Sequence, residues 1–360
     1  MDRRDLFGRL AGRVPSAYWV RVHRRAMACR FEVALSGEDA AHVAAAREAL
    51  DAVDRIEAAL SVFRPDSALS ALNRRAAHAP VPVDEELFAL LVRCREIHVA
   101  TDGAFDITTT PLSRAWGFLR RAGRLPSPEE IAAARAAVGL AHVRLDEARR
   151  SVAFDREGVE LNLGAIGKGH ALDRVAAGLG ASGLTRALLS AGGSSALAVG
   201  GPFPIDLRPR AAGPTAHLTL WLRDGALGMS GAGLQFFEKD GRRYGHVLDP
   251  RTGWPAGGVR SAMVVATRAA DADALSTAFL VGGPALAARY CAAHRDVLAL
   301  VVPDDGDGAP LLFGAHPGAA LSAKAARGSG GTEEPGSWPA PQVPPAPSGD
   351  PRSGAAEGGR

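Results

Sequence analysis

Strand-like and helix-like runs follow one another irregularly along this 360-residue chain. No stretch keeps the strand–helix–strand rhythm that a doubly wound parallel sheet needs. Residues 27–35 (MACRFEVAL) alternate in polarity and predict a first strand, closed by Ser36 and Gly37. Residues 39–62 set Val43, Ala46, Leu50, Val53, Ile56 and Leu60 at helical spacing, and residues 84–100 do the same with Leu87, Leu91, Cys94 and Ile97. Ser67 is placed to cap a short helix carrying Leu69 and Leu72, and Ser127-Pro128 to open one over 127–138. Short strands are expected near 143–146, 151–155 and 159–163, then a glycine turn and helix over 164–180. A strand, a Gly-Gly turn and a second strand should fill 186–200, and a hairpin about Asp224-Gly225 should fill 217–229. Strands near 246–249, 262–267, 297–302 and 310–313 and helices over 271–282 and 284–294 complete the pattern. The expected fold class is α+β, with layered mixed or antiparallel sheets and packed helices in a single compact domain of two lobes.

The boundaries come from composition. Arg3, Arg4, Arg9, Arg13, Arg21, Arg24 and Arg25 crowd the start, which reads as a basic, solvated arm over 1–25. The folded domain is expected over 26–316. Residues 323–360 are rich in Gly, Pro and Ser and poor in large apolar side chains, so they read as a disordered tail. Net charge is only +3, and no tract is strongly basic beyond the arm, which argues against nucleic acid as a partner. Cys29, Cys94 and Cys291 are far apart with no C-x-x-C pair, so neither a zinc site nor a disulfide framework is expected. The opening MDRRDLFGRL has a twin-arginine look, but Arg13, Pro15, Ser16 and Arg21 stand where a signal peptide needs an apolar stretch. With no apolar run long enough to span a bilayer, the chain as written reads as cytoplasmic, with periplasmic export as the alternative.

Five segments carry chemistry-bearing residues. In residues 101–108, Asp106 can accept hydrogen bonds from a base or ribose, or cap its own turn. Asn162-Leu163-Gly164-Ala165-Ile166-Gly167-Lys168-Gly169 runs from a strand through a glycine turn into a helix, which suits a phosphate. It departs from a Walker A loop because Gly169 follows Lys168, and a tight structural turn accounts for it equally well. Gly192-Gly193, followed by Ser194 and Ser195, permits close approach of a ligand or simply a bulge. Ser230 and the run His246-Val247-Leu248-Asp249-Pro250-Arg251-Thr252-Gly253 offer a base, His246, with Asp249 as its orienting group. Asp273 and Thr277 stand one helical turn apart and present hard oxygens suited to magnesium, or else a cap and a back-bonded hydroxyl.

In this order and spacing the segments resemble the ApbE family of FAD:protein FMN transferases. The resemblance runs from Met27 to Val301 through Met27-Ala28-Cys29, residues 63–73, the stretch from Gly103 to Trp116-Gly117-Phe118, the Lys168 turn, Ala191-Gly192-Gly193, Ser230-Gly231, His246 to Gly253, and Ala272 to Thr277. It implies Mg²⁺-dependent transfer of FMN from FAD, as substrate, to a Thr or Ser hydroxyl of an acceptor protein, releasing AMP. It implies Asp273, Thr277 and the main-chain carbonyl of Ala165 as metal ligands. Met27, Phe63, Asp106, Lys168, Gly192, Gly193, Ser230 and His246 are implied around the nucleotide. His246 is the implied base, and Lys168 the cation against the pyrophosphate. The family often has Asp where Asn162 stands, and Asp or Asn where Ser194 and Ser195 stand. Two other readings use the same residues: an FAD pyrophosphatase yielding FMN and AMP, and a non-catalytic protein that binds and delivers FAD.

Overall fold

A computed structural model describes residues 18–207, 217–233, 235–304 and 309–324. Its backbone is an eight-stranded sheet in which every neighbouring pair is antiparallel. In spatial order the strands are β1 (Trp19–Ala26), β2 (Cys29–Ser36), β6 (Ala187–Ala191), β7 (Ser195–Val199), β10 (Gly225–Gly231), β13 (Val259–Ala266), β14 (Leu298–Pro303) and β15 (Leu311–Gly314). Helices α1 (Val43–Leu60), α3 (Glu85–Ala100), α6 (Gly167–Ala181) and α7 (Ala269–Ala293) contribute to the core on one face. The other face packs on a second sheet of β16 (Ala319–Lys324), β9 (His217–Leu222) and β8 (Phe203–Leu207). The period-two alternation of strands divides side chains between the two cores: Ala226 and Val264 face the helices, whereas Leu227, Met263 and Val265 face the small sheet. A third core gathers Leu112, Trp116, Phe118, Ile131, Tyr244 and Leu248 at one margin, with Phe237 packed against them.

Local signals work as expected in several helices. Ala46, Ala49, Leu50, Val53 and Ile56 form the buried stripe of α1. The Ser67 hydroxyl accepts from Ser70 N–H at the start of α2 (Ala68–Arg75). Ser127 and Glu130 form a capping box at α5 (Pro128–Arg135), with Pro128 in the first turn. The two helices expected over 271–294 are the two arms of α7, kinked at Gly283-Pro284, where Gly283 adopts φ 72.

Several boundaries move. The arm expected over 1–25 overlaps β1, whose Arg21 pairs with Glu32 and whose Arg24 pairs with Asp51 and Asp54 on α1. Residues 1–17 lie outside the described residues. Residues 323 and 324, expected to open the tail, belong to β16, which completes the small sheet beyond the domain end expected at 316. Residues 325–360 lie outside the described residues. The hairpin about Asp224-Gly225 is instead a corner: β9 pairs with β8 and β16, β10 pairs with β7 and β13, and the turn passes the chain from one sheet to the other. Residues 159–163 form no strand, because the Asn73 side chain takes the place of a partner strand. Its amide donates to Leu161 O at 2.9 Å and its carbonyl oxygen accepts from Leu161 N–H at 2.9 Å. Among the described residues, 246–249 make one bridge, between Leu248 and Pro255. Among the described residues no helix is long and apolar enough to cross a membrane.

Candidate functional site

The site begins where α6, α7 and β10 meet too closely for ordinary side chains. A Cβ on Gly169 would lie 2.0 Å from Ala269 O, and one on Gly228 would lie 2.3 Å from Ala272 O. Only glycine fits at these two crossings. They bring the first turn of α6, which carries Lys168, against the first two turns of α7, which carry Asp273.

Asp273 is 3% exposed, and its carboxylate is met by three polar partners among the described residues. Ser195 Oγ donates to Oδ1 at 2.6 Å, and Gly169 N–H donates to Oδ2 at 2.8 Å. Lys168 Nζ lies 3.4 Å from Oδ2. Burial pushes the Asp273 carboxyl above its ordinary value, against the opposing pull of Lys168, Ser195 and Gly169. A second cation beside it favours the ionised form. The Ser230 hydroxyl lies 2.8 Å from Ser276 Oγ and 3.0 Å from Thr277 Oγ1, so the end of β10 meets the same face of α7. Thr277 Oγ1 also reaches the Asp273 carbonyl, at 3.4 Å. The Ala165 carbonyl, one residue before the α6 N-cap Ile166, accepts no hydrogen bond among the described residues. One carboxylate, hydroxyls and an unengaged carbonyl are hard-oxygen donors that fit Mg²⁺. No three His, Cys, Asp or Glu side chains converge among the described residues, so such an ion would depend on phosphate oxygens and water for its remaining ligands.

Of the residues expected around the nucleotide, Met27, Gly192 and Gly193 lie on two turns. Met27 and Ala28 both take positive φ, 49 and 55, in the two-residue turn from β1 to β2. Met27 N–H is held by Glu57 Oε1 at 2.8 Å. Gly192, at φ 60, turns β6 into β7, and its N–H donates to Arg30 O at 2.8 Å. A Cβ there would sit 3.2 Å from Cys29 Cβ, so the Met27 turn and the Gly192-Gly193 turn lie side by side. Ser194 O accepts from Met229 N–H at 2.7 Å, which joins this edge to Ser230. Phe63 projects from the loop after α1 and is 73% exposed, an uncommon setting for a ring of that size. Asn162 Oδ1 accepts from Gly164 N–H at 2.8 Å, an Asx turn that shapes the approach to Lys168.

Asp106 is used differently. Its carboxylate accepts from Thr108 N–H at 2.7 Å and Leu140 N–H at 3.3 Å, and it lies 3.3 Å from His98 Nδ1. The turn-capping alternative describes these contacts, which hold the 101–108 loop in shape.

His246 rests on a separate support. Its backbone N–H donates to Gln235 O at 3.0 Å, and Nδ1 lies 3.1 Å from the same oxygen. A carbonyl partner puts the proton on Nδ1 and leaves Nε2 the basic nitrogen. The Gln235 side chain is anchored in turn by donating to Phe118 O at 3.1 Å. The orienting group expected from sequence, Asp249, is instead bound to Arg251 through its backbone N–H, Nε and a terminal nitrogen. Trp116 Nε1 donates to Gly253 O at 2.9 Å and packs against Phe118, Phe237, Tyr244 and Trp254, tying the loop after His246 to the third core.

Sequence reasoning missed Ser195 as a partner of Asp273, Gln235 as the support of His246, and Asp173 on α6, whose carboxylate accepts from Ala269 N–H at 2.8 Å and Ala270 N–H at 3.0 Å. The interval of five residues from Lys168 to Asp173 was visible, but nothing local shows that its partner lies almost a hundred residues on.

Known proteins share this sequence and fold. The model of the ApbE family matches residues 27–302. The FAD:protein FMN transferase of Treponema pallidum (strain Nichols) is 37% identical over 277 residues, which cover 71% of this chain and 76% of that protein. The FAD:protein FMN transferase of Salmonella typhimurium is 32% identical over 270 residues, with coverage of 72% and 76%. The crystal structure of the ApbE protein of Thermotoga maritima superposes with a TM-score of 0.73 at 29% identity, over 82% of this chain and 97% of that one. Sequence and fold agree, and the chain belongs to the ApbE family.

Proposed function

We propose that this chain transfers FMN from FAD to a Thr or Ser hydroxyl of an acceptor protein, with release of AMP, in a reaction that requires Mg²⁺. The observation that carries the reading is the buried Asp273 carboxylate held against the Lys168 turn by Ser195 and Gly169. A protein that only stored FAD would have little use for a carboxylate kept under this burial. The relatives, which are FAD:protein FMN transferases, suggest the substrate and the group transferred.

The reaction joins an acceptor oxygen to the FMN-side phosphorus and breaks that phosphorus's bond to the bridging oxygen, which leaves with AMP. Asp273, Thr277 and the Ala165 carbonyl would hold Mg²⁺, which would offset the pyrophosphate charge that repels an incoming oxygen. Lys168 adds a positive charge on the same side and steadies the AMP phosphate as it leaves. His246, with its proton on Nδ1, takes the acceptor hydroxyl's proton at Nε2 as the oxygen attacks. The Met27 and Gly192-Gly193 turns border the nucleotide, and the exposed Phe63 ring offers it an apolar face.

Incubation with FAD, Mg²⁺ and candidate acceptor proteins, followed by mass spectrometry, tests the reading. The expected result is an FMN adduct on a Thr or Ser of an acceptor, with AMP in equal amount. Free FMN and AMP with no adduct would assign the chain to FAD hydrolysis, and no AMP at all would overturn both.

A further inference from the structure

Helices α6 and α7 cap each other. The first N–H groups of a helix have no partner within it, and both helices lack a side-chain cap from their own N-cap residues, Ile166 and Arg268. Instead Asp273 of α7 accepts from Gly169 N–H in the first turn of α6, while Asp173 of α6 accepts from Ala269 and Ala270 N–H in the first turn of α7. The two carboxylates are exchanged across the crossing where Gly169 leaves no room for a Cβ beside Ala269 O. Each also places negative charge at the positive end of the other helix.

The two halves of this exchange are not equivalent. Asp273 has a second task, because the reading above makes it a metal ligand and its oxygens must then turn partly toward a cation. Asp173 has no other polar partner at hydrogen-bonding distance among the described residues. Ala269 and Ala270 stand four and three residues before Asp273, so they lie on the same face of α7. Fixing their N–H groups fixes the rotation and height at which Asp273 meets the Lys168 turn.

We propose that Asp173 is a positioning residue for the nucleotide and metal site: it holds the α7 first turn on α6 so that Asp273 can exchange Gly169 N–H for a cation without the helices parting. The proposal rests on the metal reading of Asp273, and the consequence is specific. Loss of Asp173 should weaken cation and FAD binding together, out of proportion to its effect on folding.

The test compares wild type with Asp173→Asn, which keeps one acceptor and sets an amide donor against the second N–H. Mn²⁺ binding is read by electron paramagnetic resonance, FAD binding by calorimetry, and folding by thermal melting. The expected result is a Mn²⁺ dissociation constant raised roughly 10–100-fold, the range typical of groups that orient metal ligands, with weaker FAD binding and a melting temperature lower by only a few degrees. Unchanged Mn²⁺ and FAD affinity, or a lowered melting temperature alone, overturns the positioning role. Should wild type bind no Mn²⁺, the metal reading fails by itself, and FAD affinity decides the role of Asp173 on the same terms. If Asp173→Asn does not fold, Asp173→Glu, which keeps the charge on a longer stem, is judged by the same titrations.

Discussion

The two poles of the site are built on opposite principles. The Asp273 pole stands on a central strand and two helices, is nearly sealed from water, and draws its carboxylate partners from the start of α6 and from β7. The His246 pole stands on a loop, is half-buried, and meets the backbone carbonyl of Gln235, a residue steadied by its own side-chain amide beside an aromatic cluster. The first suits a task that must not vary, the grip on phosphate and cation. The second suits a task that must admit a protein hydroxyl and let a modified protein leave.

This division predicts that the two poles fail in different ways. The largest effect is expected at the loop pole: His246→Ala should lower FMN transfer by ~10²–10⁴-fold while calorimetry shows FAD binding retained. Transfer at the wild-type rate would remove His246 from the role of base. At the rigid pole the cost should appear in folding. Gly228→Ala drives a Cβ to within 2.3 Å of Ala272 O and should destabilise the protein by about 1–3 kcal/mol in urea unfolding, with FAD binding weakened in step. A stable, fully active Gly228→Ala would mean that α7 can shift without harm to the site.

A smaller, pH-dependent effect sharpens the same contrast. Burial pushes the Asp173 carboxyl up to about 6 from an ordinary 3.8, outweighing its two N–H bonds. Between those values the folded protein binds more protons than the unfolded chain, so this group's contribution to stability falls as pH rises through the window and is constant above it. Wild type should therefore lose about 2–3 kcal/mol relative to Asp173→Asn between roughly pH 4 and pH 7. A constant difference across that range would mean that the carboxyl titrates normally.

The same contrast explains what the sequence could tell. Asp273 and Thr277, one helical turn apart, and Lys168 in its glycine turn were readable because helices and tight turns impose local spacing. Ser67, Ser127 and the apolar stripe of α1 were readable for the same reason. The pairing of Asp273 with Ser195, and of Asp173 with the start of α7, was not, because contacts across 78 and 96 residues depend on how strands and helices stack. Strand β1 was hidden by its arginines, which find Glu32, Asp51 and Asp54 only once the sheet and α1 are formed. The corner at Asp224-Gly225 reads locally as a hairpin, and only the pairing of β9 and β10 with different sheets corrects it. Asp249 failed as the partner of His246 because Arg251, two residues away, takes the carboxylate first.

The central claim is that FAD is cut at the Asp273–Lys168 contact with the help of a divalent cation. Its most direct test is AMP release from saturating FAD, followed while Mg²⁺ is raised, for wild type and Asp273→Ala. AMP release that rises with Mg²⁺ in wild type and stays at background in the variant is the predicted result. Equal release by the two proteins, or release by wild type that ignores Mg²⁺, would contradict it.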